Sequence, residues 1–219
     1  MLFRSGSISM GSGDAFICAG VETMSRVQRG GFNRTLHPDI ESQFPDAYIG
    51  MGLTAENLAK SHQISRTNQE LFAASSHEKA ISAQDRGHFD DEIVSVGAVS
   101  LDGCMRAPNL EKMAELKPAF IESGTVTAAT SSPLTDGASA MLVCSEEFAT
   151  SHGLKPLASI LSTAVSGVPP EIMGYGPVPS SQKALQRAGL SMDDLDVIEL
   201  NEALRSEEHT SELQSQPDL

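Results

Sequence analysis

"GTVTAATSSPLTDGASAMLVCSEE" (residues 124–147) is the stretch on which the reading of this chain turns. Its first half is built almost wholly of small residues, so a backbone there can come close to whatever it faces. Pro133 to Gly137 carries turn chemistry. The stretch closes in "SAMLVCS" (139–145), an apolar run of strand composition. A small-residue loop feeding a strand suits close approach by a ligand, and it suits a tight, well-packed turn equally. It carries neither a Walker nor a Rossmann glycine fingerprint.

Outward from this stretch, strands alternate with helices. "AFICAGV" (15–21) follows Gly13-Asp14 and reads as a buried strand. Residues 26–52, rich in Gly, Pro, Asn and Arg, read as a long loop. "LTAENLAKSHQIS" (53–65) reads as a helix with Thr54 at its N-cap. Ser65 caps a longer helix that runs to about Gly87 and buries Phe72, Ala73, Ala80 and Ile81. "DDEIVSVGAVSL" (90–101) reads as a strand, and "NLEKMAELKPAF" (109–120) as a helix stopped by Pro118. "PLASILSTAVSGV" (156–168) and "DVIEL" (196–200) read as strands. Between them a helix starts at Ser180 or Ser181 and ends at Gly189, and Ser191 to Asp194 resembles a capping box. Apolar strands alternating with helices predict an α/β fold whose sheet is covered on both faces.

Composition narrows the function. The 219 residues are 40% apolar and 20% charged, with a mean hydropathy of −0.14, which is ordinary for a soluble globular protein. A net charge of −14 argues against nucleic acid or an anionic membrane as the main partner. Cys18, Cys104 and Cys144 are too sparse for a disulfide framework and form no CxxC pair, which fits a reducing, cytoplasmic setting. The first residues show no signal-peptide pattern. No apolar run approaches the roughly 18–20 residues that span a bilayer.

Polar residues at strand ends are the natural places for chemistry in such a fold. Asn201-Glu202 follows "DVIEL", and Val21-Glu22 closes the first strand. Asn201 could orient a water or donate to a developing oxyanion; it could equally cap the next helix. The histidines, at 37, 62, 77, 88, 152 and 209, make no HxxxH or HExxH pair, so they read as surface or loop residues and no metal site is expected. Cys18 and Cys144 lie in strands as small apolar residues. Cys104 sits in a glycine-containing loop with no His or Lys beside it in sequence to make it reactive.

Taken together, "AGVETMSR", "MGLTAENLA", "ISRTNQELFAASSHEKA", "LKPAF", "GTVTAATSSPLTDGA", "MGYGPVPSSQKAL" and "DLDVIELNEA" occur in the order found in thiolases. The resemblance runs from about residue 8 to 203. "MGLTAEN" and "DGCMRAPNLEKMAELKPAF" are closer to the degradative members than to the biosynthetic ones. Gly50 stands where the biosynthetic type carries a His. The resemblance implies an incomplete thiolase-like α/β fold: 1–24 the end of an N-terminal half, 25–134 an inserted loop domain that covers coenzyme A, and 135–204 the start of a C-terminal half. It implies thiolysis of a 3-ketoacyl-CoA to acetyl-CoA and a shortened acyl-CoA, or the reverse condensation, in fatty-acid degradation. CoA and acyl-CoA are substrates, with no tightly bound cofactor, and the family assembles as dimers or dimers of dimers.

Carried over residue by residue, Asn201 matches the asparagine that holds a water in one oxyanion site. Met51 and Met173 match methionines near the acyl and pantetheine ends. Phe120, Ala128, Ser131, Ser132 and Leu134 match the surface that CoA lies on, and Ala203 of "NEA" is grouped with it. Arg26, Arg29, Arg34 or Lys117 would have to attract the anionic CoA to so acidic a protein. The family's nucleophilic Cys is expected upstream of Met1, and its His and second Cys beyond Ala203, so the chain as written is expected to be an inactive, poorly folding fragment. "RSEEHTSELQS" (205–215) resembles the in-frame translation of a short-read sequencing adapter, which makes 205–219 an expected non-native tail. The alternative reading is a non-catalytic thiolase-like carrier of acyl-CoA or lipid.

Overall fold

The structure is a computed structural model that describes residues 2–27, 31–33, 35–201 and 203–204. They fall into two compact units. The first takes Met1–Thr35, Leu134–Val165 and Ser180–Asp194; the second takes Leu36–Pro133, Ser166–Pro179 and Leu195–Leu219. The second unit thus includes most of the expected loop domain, with two later segments joined to it.

In the first unit, helix α1 (Leu2–Ser9) leads through Gly11, at φ +71°, into strand β1 (Ala15–Thr23). β1 pairs antiparallel with β2 (Asp136–Cys144), in register from Ala15 opposite Cys144 to Thr23 opposite Asp136. Both strands stand where the sequence predicts them. At one end Ser25 donates its N–H at 2.9 Å, and its hydroxyl, to the Asp136 carboxylate. At the other, Ser145 donates its N–H to the carbonyl of Asp14 and caps α6 (Glu146–Ser151) by accepting from the Phe148 N–H. Residues 162–165 run along the last two turns of α7 (Pro177–Ala188). Arg187 donates to Thr163 O, Lys183 to Val165 O, and the Ser162 hydroxyl to Ala184 O.

The second unit is helical. After the short helix α2 (Pro38–Gln43), α3 (Met51–Ser61) and α4 (Arg66–Asp85) are joined by a turn at Gln63, φ 55°. Ser65 caps α4 as expected, accepting from the Asn68 N–H. Thr54 does not cap α3: the helix starts three residues earlier behind Gly50, and the Thr54 hydroxyl donates back to Met51 O. Ala55, Leu58, Ala73 and Val126 are fully buried here. Of the expected α4 core positions Ala73 is buried, while Phe72, Ala80 and Ile81 are half-buried and Gln69, Glu70 and Ala74 take the remaining inner places. Arg66 ties the start of α4 to the end of α5 (Leu110–Ala114). It pairs with Glu70 at 2.7 Å and donates to the carbonyls of Met113, Ala114 and Leu116. The 3-10 segment Pro170–Tyr175 lies on α3, where Asn57 donates to Glu171 O and His62 stacks on Tyr175.

Several expected elements are corrected. Residues 90–101 form turns closed by one Val96–Val99 bridge, because Gly97 at φ +60° bends the run back on itself. Residues 156–168 and 196–200 have strand composition but are not strands. Strand propensity reflects the fit to a neighbouring strand, and among the described residues no such strand pairs with them. Helix α5 ends at Ala114, four residues short of Pro118, and α7 begins at Pro177 rather than at Ser180 or Ser181. The covered sheet is corrected too: among the described residues the sheet has two strands, and Ile17 and Val21 on β1 are 79% and 80% exposed.

Candidate functional site

The candidate site grows from one carboxylate. Glu56, on α3, is 7% exposed and points at the loop after Gly124. It accepts the Thr125 N–H at 2.9 Å, the Thr125 hydroxyl at 3.1 Å and the Val126 N–H at 2.9 Å. Gln69 of α4 donates to the same Thr125 hydroxyl oxygen. Val126 O then accepts the Ala119 N–H, and Pro118 bridges to Thr127, so residues 118–120 are zipped against 125–127. This puts the Phe120 ring directly on Gly52 of α3.

From Thr127 the loop makes a single 3-10 turn, Ala128–Thr130, closed by a reciprocal cap. The Thr127 hydroxyl accepts from the Ala129 N–H, and the Thr130 hydroxyl oxygen accepts from the Thr127 N–H. Ser131 donates its hydroxyl to Thr127 O. Ser131 bridges to Leu204, and the Ser132 N–H reaches Ala203 O at 2.9 Å. Leu204 buries its side chain with Ala55 and Val126, with Met51 packed alongside. These contacts bring the "NEA" segment against the small-residue loop.

Between them lies an open cavity of about 320 Å³. Ser131, Ser132 and Asn201 line it together, so three of the residues named from the sequence share one space. His77 and Arg106 bring donors to it, and Cys104 its thiol. The other named residues stand apart from that wall. Phe120, Ala128 and Met173 are exposed, Met51 and Ala203 are half-buried, and Leu134, 69% exposed, belongs to the first unit. Arg26 lies near Asp136 in the first unit and Lys117 is exposed in the second; Arg29, Arg34, Glu202 and the tail 205–219 lie outside the described residues.

Sequence reading missed His77, Cys104 and Arg106 as cavity residues. His77 lies within a regular helix, and the loop carrying Cys104 and Arg106 has no motif of its own. Only the fold brings both to Asn201. The Cys104 thiol is pushed above its ordinary value, by desolvation first and then by Asp102, with Arg106 opposing. The thiolate is therefore scarce at neutral pH, and Cys104 is a poor nucleophile despite its position. Among the described residues no cluster of His, Cys, Asp or Glu could hold a metal ion, and no helix is long and apolar enough to cross a membrane.

Comparison with known proteins gives a consistent result. Residues 2–147 match the family described as "Thiolase, N-terminal domain", and residues 154–215 match "Thiolase, C-terminal domain". The 3-ketoacyl-CoA thiolase of Chromohalobacter salexigens is 44% identical over 212 residues, which cover 92% of this chain and 54% of the relative. That of Alcanivorax borkumensis is 46% identical with the same coverage. The chain therefore spans about half the length of these curated relatives. Among solved structures, the dimeric peroxisomal thiolase of Saccharomyces cerevisiae superposes with a TM-score of 0.86 at 33% identity, over 94% of this chain and 55% of that one. Human mitochondrial 3-ketoacyl-CoA thiolase in complex with CoA gives 0.84 at 34% identity, over 97% and 58%.

Proposed function

The chain belongs to the thiolase family, a family of acyltransferases, with an incomplete thiolase fold, and from that premise we propose that it builds the CoA-facing part of a 3-ketoacyl-CoA thiolase. The observation that carries this reading is the meeting of Asn201 with Ser131 and Ser132 in one cavity. In the proposed chemistry a cysteine thiolate adds to the 3-keto carbon, and the C2–C3 bond breaks so that acetyl-CoA leaves as its enolate and takes a proton at C2. The thiol of a second CoA then attacks the acyl–cysteine thioester, forming the shortened acyl-CoA and returning the cysteine sulfur with the proton. Each transfer puts negative charge on a thioester oxygen. The Asn201 carboxamide, or a water it holds, donates to that oxygen; losing one such donor typically costs about 10²–10³ in rate.

The pantetheine arm lies along Ala128, Ser131 and Ser132, whose small side chains admit it, with Phe120, Met51, Met173 and Ala203 of the same unit supplying apolar surface. Arg106 attracts the anionic end of CoA, a local cation that a protein of net charge −14 needs. CoA and acyl-CoA enter as substrates, not as resident cofactors. The nucleophile is not among Cys18, Cys104 and Cys144, so this chain binds CoA without turning substrate over. Self-association as a dimer or a pair of dimers, a cytoplasmic setting and a role in fatty-acid breakdown complete the proposal; free cysteines throughout the described chain support the compartment. Residues 205–219 are proposed to be a non-native tail. No separate observation favours the carrier reading, and the curated relatives reported above carry the name of an enzyme.

Two assays on the purified 219-residue chain test this. Calorimetric titration with CoA is expected to give saturable binding, and a thiolysis assay with a 3-ketoacyl-CoA is expected to stay at background. Absence of CoA binding contradicts the reading of the site; measurable thiolysis contradicts the assignment of the nucleophile.

A further inference from the structure

We propose that Glu56 is a positioning residue that holds the ligand-facing loop 125–132 in its binding shape. The identity of the ligand as CoA rests on the proposed function; the role of Glu56 in the loop does not. Three independent features converge on it. Its carboxylate is buried, and both of its oxygens are taken up by two consecutive backbone N–H groups and the Thr125 hydroxyl. Every one of these partners is a donor, so the group required is a pure acceptor, which an ionised carboxylate is and an amide is not. Hydrogen bonds to an ionised acceptor are also the stronger kind.

The second feature is the shape of Gly124. A Cβ there would stand 2.2 Å from Glu56 Oε1 and 3.0 Å from Ile121 O. The loop is therefore cut to admit the carboxylate, and any side chain at 124 pushes on it. The third is what hangs from the two clamped residues. Val126 O holds Ala119, and through it Phe120; Thr127, the next residue, organises the 3-10 turn, Ser131 and the path to Ser132. Gln69 closes the arrangement from α4 by donating to Thr125 Oγ1. Glu56 itself does not line the cavity, so its effect on a ligand passes through the loop.

Glu56→Gln is the informative change, because it keeps the volume and turns one oxygen into a donor facing donors. In the full 219-residue chain, with CoA as the probe, two readouts are taken: amide exchange by NMR and the calorimetric Kd. Glu56→Gln is expected to speed exchange at Thr125 and Val126 and to raise the CoA Kd by about tenfold, the scale set by losing a hydrogen bond to a charged group. Gly124→Ala, which keeps the carboxylate but pushes it out of its position, is expected to do the same. Ser162→Ala, which removes the bond to Ala184 O in the other unit, is the control for lost stability alone and is expected to change neither readout.

Unchanged exchange at Thr125 and Val126 in Glu56→Gln overturns the proposal, as does a released loop with an unchanged Kd. Should the unsubstituted chain fail to bind CoA, the functional reading falls and the exchange data alone decide the role of Glu56. Should both variants fail to fold, Glu56→Asp, which keeps the charge and shortens its reach, decides it: faster exchange at Thr125 and Val126 supports the proposal, and unchanged exchange overturns it.

Discussion

The Phe120 ring occupies the space that a side chain on Gly52 would fill: a Cβ built on Gly52 would stand 2.2 Å from Phe120 Cδ1. Gly52 is a buried residue in the first turn of α3, and Phe120 follows the edge that pairs with Val126 and Thr127. Helix propensity alone favours alanine over glycine by about 0.8–1.0 kcal/mol. Overpacking a tight contact costs about 1–3 kcal/mol. The second effect wins, so Gly52→Ala is expected to lower stability in urea unfolding and to weaken CoA binding by moving Phe120. A stabilised Gly52→Ala protein contradicts this contact.

Arg66 closes a second junction. Its Nη2 points at three carbonyls at the end of α5 while its Nε donates to Glu70, two directions that one planar guanidinium reaches together and a single ammonium does not. The Glu70 pair itself adds little, since the Arg66 side chain is 26% exposed. Arg66→Ala is expected to cost about 1.5–3 kcal/mol, the scale for hydrogen bonds to a charged group. Arg66→Lys is expected to recover less than half of the loss, measured by urea midpoint. Full recovery by lysine would show that charge, not the fork, holds the junction.

Acid weakens the first unit in a defined way. The Asp136 carboxyl is held below its ordinary value by the Ser25 hydroxyl first and then by the Ser25 N–H. Ser191 does the same for Asp194, by its N–H first and then its hydroxyl. A depressed carboxyl stabilises fully above its unfolded value, and that contribution is lost as pH falls through the lower, folded one. Stability is therefore expected to decline as pH drops below the ordinary aspartate range, and Ser25→Ala is expected to flatten part of that decline. An acid limb identical in Ser25→Ala and the unsubstituted chain contradicts the assignment.

Cys104 gives a chemical test. With its thiol pushed up by desolvation and by Asp102, alkylation by iodoacetamide is expected to be slow at neutral pH and to accelerate only under alkaline conditions. Asp102→Asn removes one cause and is expected to bring the acceleration to lower pH. Cys104→Ser is expected to leave the CoA Kd within about twofold, a change worth less than 0.5 kcal/mol. Rapid neutral alkylation that abolishes CoA binding would instead make Cys104 a working nucleophile.

Arg106 is expected to contribute to affinity by charge. Arg106→Glu is expected to raise the CoA Kd by about tenfold or more at low salt, and the difference is expected to shrink as salt screens it. A salt-independent loss points to packing instead.

Local features were the legible part of this fold. Ser65 and the helix behind it, β1 and β2, and the left-handed Gly189 after α7 all follow from short-range chemistry and stand where the sequence puts them. Residues 90–101, 156–168 and 196–200 failed because a strand needs a partner that composition cannot supply. The site divided along the same line. Asn201, Ser131 and Ser132 were named through a family resemblance, since nothing local separates Asn201 from a helix cap. Arg106 and His77 escaped notice because only the fold carries them to Asn201. Glu56 was hidden for a plainer reason: a Glu in the middle of a helix reads as solvated until Thr125 and Val126 are seen to bond it.

The most direct measurement is an NMR titration of the isotopically labelled 219-residue chain with CoA, followed amide by amide. Saturable shifts are expected at Ala129, Ser131, Ser132 and Asn201 and at Phe120, with silence in the groove of the first unit that Phe3 and Ser7 of α1 line together with Ile17 and Cys18 of β1. Shifts gathered at Phe3, Ile17 and Cys18, or none at any concentration of CoA, would contradict this expectation.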